Sequence, residues 1–219
     1  SCLVTLELTG ITVSFNSAPL EWWLSLPIIV IYPLLFGWVS YQTATKLAEH
    51  KRRLPVMSTR DGMTGVYNRR HWETMLRNEF DNCRRHNRDA TLLIIDIDHF
   101  KSINDTWGHD VGDEAIVALT RQLQITLRGS DVIGRFGGDE FAVIMSGTPA
   151  ESAITAMLRV HEGLNTLRLP NTPQVTLRIS VGVAPLNPQM SHYREWLKSA
   201  DLALYKAKKA GRNRTEVAA

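Results

Sequence analysis

The chain has 219 residues, of which 44% are hydrophobic and 21% charged, with a formal net charge of +3. That length suits one medium domain with a smaller appendage, and the basic residues form no stripe interleaved with aromatics, so nucleic acid is not an expected partner. The two cysteines, Cys2 and Cys83, exclude a disulfide framework and a thiolate metal site, and a reducing cytoplasm suits the main domain.

The chain starts with Ser inside an apolar stretch, so a longer natural protein is expected. Residues 2–15 are apolar apart from Glu7 and are expected to be the end of an earlier span, with residues 16–19 as a turn. Residues 22–41 carry no charge, and about 20 helical residues at about 1.5 Å each match a hydrocarbon core of about 30 Å. Pro27 and Pro33 would damage an ordinary buried helix, whereas a membrane helix absorbs them. Trp22, Trp23, Trp38 and Tyr41 sit at the two ends as interfacial anchors, and Lys46, Lys51, Arg52 and Arg53 follow. This pattern predicts a partial membrane domain over residues 1–41 in a bacterial inner membrane, with the C-terminal side cytoplasmic.

Residues 42–59 read as a polar connecting helix, with a kink or break expected at Pro55. Residues 60–217 alternate helical and strand patterns. We expect a helix after Asn68, a strand over 91–97, a short helix near Phe100 and a longer one over 110–127. A hairpin joins 131–135 to 140–145 across Phe136, Gly137, Gly138 and Asp139; a helix over 150–167, a strand over 175–183 and a helix over 193–210 follow. The class is α/β (α+β), with a ferredoxin-like mixed sheet flanked by helices on one side and no Rossmann or Walker glycine pattern.

The apolar run Leu92-Leu93-Ile94-Ile95 ends in Asp96-Ile97-Asp98. A carboxylate at the edge of a buried sheet is costly unless a cation meets it, so a hard metal ion and an arginine-paired or solvated strand end are both open. Asp139 and Glu140 follow Gly137-Gly138, where positive φ and close phosphate approach are expected, although Gly-Gly is also ordinary turn chemistry.

The string Arg135-Phe136-Gly137-Gly138-Asp139-Glu140-Phe141 resembles the signature of GGDEF-domain diguanylate cyclases. The resemblance runs in order through DGMTGVYNRR from Asp61, DIDHFKSINDTWGHDVGD from Asp96, RFGGDEF, SVGV from Ser180, and ADLALYKAKKAGRN, which ends at Asn213. Met63 and Val66 stand where leucines are usual, and His99 where an aromatic or other residue is often found. The resemblance implies a fold similar to the nucleotide cyclase and polymerase palm, and a homodimer that condenses two GTP into cyclic di-GMP and two pyrophosphates in second-messenger signalling of the kind that governs biofilms.

It also implies that Asp96, the Ile97 carbonyl, Asp139 and Glu140 hold Mg²⁺, with Mn²⁺ a possible substitute. Asp139, Glu140 and Lys101 are the implied catalytic residues, Asp139 accepting the hydroxyl proton and Lys101 facing phosphate charge. Asn104, His109, Asp113, Phe100, Lys208 and Arg212 are implied to bind substrate. Asp113 suits the adjacent N1–H and N2–H donors of guanine, which adenine lacks. Arg128 and Asp131, an RxxD upstream of the hairpin, together with Arg159, are implied to bind cyclic di-GMP as an inhibitor. The alternative, an inactive GTP or cyclic di-GMP receptor, is opposed by the intact Asp96, Asp139, Glu140 and Lys101.

Overall fold

A computed structural model describes residues 5–8, 11–14, 32–57, 59–170, 172 and 174–218. The chain divides into two compact units, Ser1–Met57 and Ser58–Ala219.

In the first unit, strands β1 (Thr5–Leu8) and β2 (Ile11–Ser14) pair antiparallel, with Leu6 opposite Val13. An extended hairpin therefore occupies the stretch expected to close an earlier span. Helix α1 (Tyr32–Met57) follows. Residues 22–31 of the expected span lie outside the described residues, and among the described residues no helix is long and apolar enough to cross a membrane. The break expected at Pro55 is absent, because α1 continues to Met57. Proline removes the one hydrogen bond to the carbonyl four residues earlier, but its fixed φ is itself helical, so the helix runs on past it to Met57.

The second unit is built on a six-stranded sheet ordered β3-β5-β6-β4-β7-β8. Its elements are β3 (Tyr67–Asn68), α2 (Arg69–His86), β4 (Ala90–Ile97), α3 (Phe100–Trp107), α4 (His109–Thr126), β5 (Val132–Arg135), β6 (Glu140–Ser146), α5 (Ala150–Thr166), β7 (Ile179–Pro185), α6 (Tyr193–Lys209) and β8 (Arg214–Val217). The four central strands pair antiparallel, while the short edge strands β3 and β8 pair parallel to β5 and β7. From β4 to β7 the order is βααββαβ, the ferredoxin-like βαββαβ plan with its first crossover made of two consecutive helices, α3 and α4.

Helices cover both faces rather than the one face expected. Leu93, Ile95 and Ile97 of β4 join α4 and α5 in one core, through Leu119, Leu123, Met157 and Val160. Leu92 and Ile94 join α2 and α6 in the other, through Trp72, Leu76, Phe80 and Trp196. Successive side chains of a strand point to opposite faces, so a strand covered on both sides carries the unbroken apolar run seen at 92–95. Helix α2 starts where Asn68 caps it, its side chain accepting the His71 amide at 3.0 Å. Strand β7 begins only at Ile179, four residues later than the pattern indicated.

Candidate active site

The chemistry-bearing residues gather where β4 ends beside the β5–β6 hairpin. The register sets Asp96 on β4 directly opposite Glu140 on β6, and the Ile97 amide donates to the Asp139 carbonyl at 3.3 Å. Asp96 is buried, 7% exposed, whereas Asp139 and Glu140 are half-buried. Burial pushes the Asp96 carboxyl above its ordinary value; Lys208 opposes that rise, and the Asp139 and Glu140 charges add to it. Lys208, on the last turn of α6, reaches Asp96 Oδ2 with its Nζ at 2.7 Å. The cation meeting this carboxylate is therefore a lysine 112 positions downstream in the chain, a partner that neither reading of the strand end named. Among the described residues no three His, Cys, Asp or Glu side chains converge as a metal-binding group.

The hairpin turn closes through the Phe136 and Gly137 amides, which donate to the Glu140 carbonyl at 2.7 and 3.3 Å. Neither Gly137 nor Gly138 has positive φ, contrary to the conformational role expected of them. Their use is spatial: a Cβ on Gly138 would meet nothing within 4 Å, and one on Gly137 would lie 3.3 Å from Glu140 Oε2. Two bare residues leave the surface above the turn open to a ligand.

Arg135 holds this turn from below. Its Nη2 and Nε donate to the Gly138 carbonyl at 2.8 and 3.2 Å, and its Nη1 pairs with Asp61 Oδ1 at 3.1 Å. Burial alone would raise the Asp61 carboxyl, but the Thr64 hydroxyl and amide, with Arg135, hold it below its ordinary value. Both residues stand inside the quoted motifs, yet no role was read for either, because the pairing joins segments 74 positions apart.

The implied base-binding residues are distributed over α3 and α4. Asn104 Oδ1 is buried without a hydrogen-bond partner and packs against Gly112, where a Cβ would collide with it and lie 3.2 Å from Phe100 Cζ. Asp113, the next residue, is exposed and lines a cleft of about 590 Å³ with Asp110, Val117, Arg121, Leu167 and Pro170, not with Asn104 or His109. His109 opens α4 and is exposed; Lys101 on α3 and Arg212 after α6 are exposed and make no ion pair among the described residues.

Arg128, Asp131 and Arg159 line one cleft of about 210 Å³ with Thr148 and Ser152. The Arg128 amide donates to Asp131 Oδ2 at 2.9 Å, while Asp131 Oδ1 is buried without a partner. Burial raises the Asp131 carboxyl, against the lowering influence of Arg128.

Residues 58–214 match the family model described as "Diguanylate cyclase, GGDEF domain". The chain is 35% identical over 159 residues to diguanylate cyclase DosC of Escherichia coli strain K12, covering 72% of this chain and 34% of that protein. It is 30% identical over 193 residues to the cyclic di-GMP phosphodiesterase NbdA of Pseudomonas aeruginosa, covering 82% of this chain and 25% of the relative. The chain thus spans about a third or less of the length of these curated relatives. Among solved structures, the GGDEF domain of DgcB from Caulobacter crescentus in complex with c-di-GMP superposes with a TM-score of 0.69 at 30% identity, covering 73% of this chain and 93% of that one.

Proposed function

The chain belongs to the GGDEF-domain diguanylate cyclase family, and from that premise we propose that it condenses two GTP into cyclic di-GMP and two pyrophosphates. The observation that carries this reading is the buried Asp96 facing Glu140 across β4 and β6, with Asp139 at the turn and Lys208 as counter-charge. A buried carboxylate whose proton affinity is raised by burial and by the Asp139 and Glu140 charges beside it marks a place made for a cation.

The donors fit Mg²⁺. All are hard oxygens, and this ion is commonly held by one or two carboxylates with substrate phosphates, so three converging side chains are not required. Asp96, the Ile97 carbonyl, Asp139 and Glu140 would hold it, with Mn²⁺ a substitute. A bound Mg²⁺ supplies charge neutralisation at the reacting phosphate. Asp139 takes the proton from the attacking 3′-hydroxyl; Lys101, Lys208 and Arg212 face phosphate oxygens. Lys208 then exchanges its Asp96 partner for a phosphate. Phe100, Asn104, His109 and Asp113 hold the guanine, and the unpartnered Asn104 Oδ1 supports this because it has an acceptor to offer.

Each domain binds one GTP, so a homodimer must bring two sites face to face. The cleft of Arg128, Asp131 and Arg159 binds cyclic di-GMP and restrains the reaction, a reading supported by its cations and the free Asp131 oxygen. Tyr32, Leu34, Leu35, Phe36, Trp38, Val39 and Tyr41, in the N-terminal part of α1, are 49–69% exposed, and Pro33, Gly37 and Ser40 lie on the remaining side without a charge. A charge-free stretch of exposed apolar side chains over residues 32–41 suits lipid, which supports an inner-membrane anchor over residues 22–41 with the catalytic unit cytoplasmic.

The test is product identity by mass spectrometry after incubation with GTP and Mg²⁺. Cyclic di-GMP is expected; no product from a dimeric sample that binds GTP would favour a receptor instead.

A further inference from the structure

Asp98 is a buried carboxylate that the proposed chemistry leaves unused. It is 5% exposed and lies in the turn that follows the last residue of β4, Ile97. Among the described residues no cation pairs with it. Its Oδ1 accepts the Ser180 hydroxyl at 2.7 Å, and its Oδ2 accepts the Asn213 backbone N–H at 2.8 Å.

The second contact reaches an unusual piece of backbone. Gly211, Arg212 and Asn213 follow one another with φ of 113°, 63° and 46°. Glycine tolerates such angles and asparagine visits them, but Arg212 carries a long side chain on a Cβ that disfavours the left-handed region. A turn of this kind persists only where its surroundings determine it. Inside the chain the Arg212 amide returns to the Ala207 carbonyl at 3.0 Å. From outside, Asp98 grips Asn213, and His161 on α5 joins the Asn213 side chain and approaches Thr215 Oγ1 at 3.2 Å.

We infer that Asp98 is a positioning residue for Arg212: by anchoring the Asn213 amide it fixes the left-handed turn from which Arg212 reaches a nucleotide phosphate. The inference rests on the cyclase reading, in which Arg212 meets substrate. Without the anchor the turn samples other conformations, and Arg212 must be ordered each time GTP binds. The loss falls on binding, so KM for GTP rises while kcat changes little.

A double-mutant cycle tests this with steady-state cyclic di-GMP synthesis by the wild type, Asp98→Ala, Arg212→Ala and the double variant. Asp98→Ala is expected to raise KM about ten-fold with kcat within about three-fold, and to add nothing in the Arg212→Ala background. Asp98→Asn, whose amide oxygen can accept the Asn213 N–H and whose NH₂ can donate to Ser180, should return KM to near the wild-type value. If Asp98→Ala does not fold, Ser180→Ala runs the same cycle at about three-fold amplitude, since it removes only the hydroxyl that orients the carboxylate. The same rise in KM with and without Arg212, or no rise, overturns the inference. A wild-type protein that makes no cyclic di-GMP overturns the cyclase reading beneath it, a separate result.

Discussion

Gly182 lies in β7 beneath α6, and changing it to alanine tests whether that helix must touch the sheet to place Lys208. A Cβ at Gly182 would fall inside van der Waals contact of the Ala200 carbonyl oxygen and the Leu204 amide nitrogen, and 2.9 Å from Leu204 Cα. All three are backbone atoms, so no side chain can rotate away. Ordinary contact begins near 3.4 Å, and the Leu204 Cα at 2.9 Å is the least severe of the three clashes, so α6 must retreat by more than the 0.5 Å that this contact alone would require. Overpacking of this kind costs about 1–3 kcal/mol and sometimes more. The helix carries Lys208, whose Nζ sits 2.7 Å from Asp96, and a displacement near 1 Å at a site can cost about a hundred-fold in rate. Gly182→Ala should therefore lose about 2–4 kcal/mol in urea unfolding and at least about ten-fold in cyclic di-GMP synthesis under conditions where it stays folded. A variant within about 0.5 kcal/mol of wild type and fully active would show that α6 does not need this contact.

Arg135→Ala should cost about 2 kcal/mol of stability and lower kcat, because it frees the Gly138 carbonyl and leaves Asp61 without its cation. Arg135→Lys should not restore activity, since one ammonium lacks the fork that serves both partners; full rescue by lysine would contradict this. Burial pulls the His161 imidazole below its ordinary value, against the opposing influence of Asp98 and Asn213. The unfolded chain then binds the proton more readily, so stability is complete above about pH 6.5 and falls as the pH drops below it. Comparing Tm at pH 7.5 and 5.5, His161→Gln should lose less on acidification than wild type; equal losses would remove His161 from the account. Arg159→Ala should leave initial synthesis intact and raise the concentration of cyclic di-GMP needed to inhibit it; unchanged inhibition would dissociate this cleft from feedback.

The sheet was legible where one residue pattern answered to one physical cause. The run Leu92 to Ile95 announced a buried strand, and Asn68 announced the start of a helix by its capping chemistry. The same run also carried the sign that both faces are covered, yet it was read with helices on one side only, because a single strand does not say which helices lie across it. The two-residue β3 and the edge strand β8 are too short for their pattern to stand out. Pro55 misled because the loss of one hydrogen bond need not end a helix whose φ proline itself adopts.

In the site, residue types were readable and pairings were not. Asp96 called for a cation, but its supply by Lys208 depends on how α6 crosses the sheet. The glycines of the hairpin were read for positive φ and for close phosphate approach; neither has positive φ, while the open space over Gly138 suits the second role. Gly182 within Ser180-Val181-Gly182-Val183 did carry a usable signal, since glycine inside a strand marks close approach of another backbone.

The central claim is that the carboxylates at the β4 end and the hairpin turn make cyclic di-GMP. It is tested most directly by following GTP consumption and product by mass spectrometry for wild type and Asp139→Ala, with GTP affinity measured for both. Wild type should form cyclic di-GMP, and Asp139→Ala should bind GTP yet form essentially none. Equal synthesis by the two proteins would contradict the account.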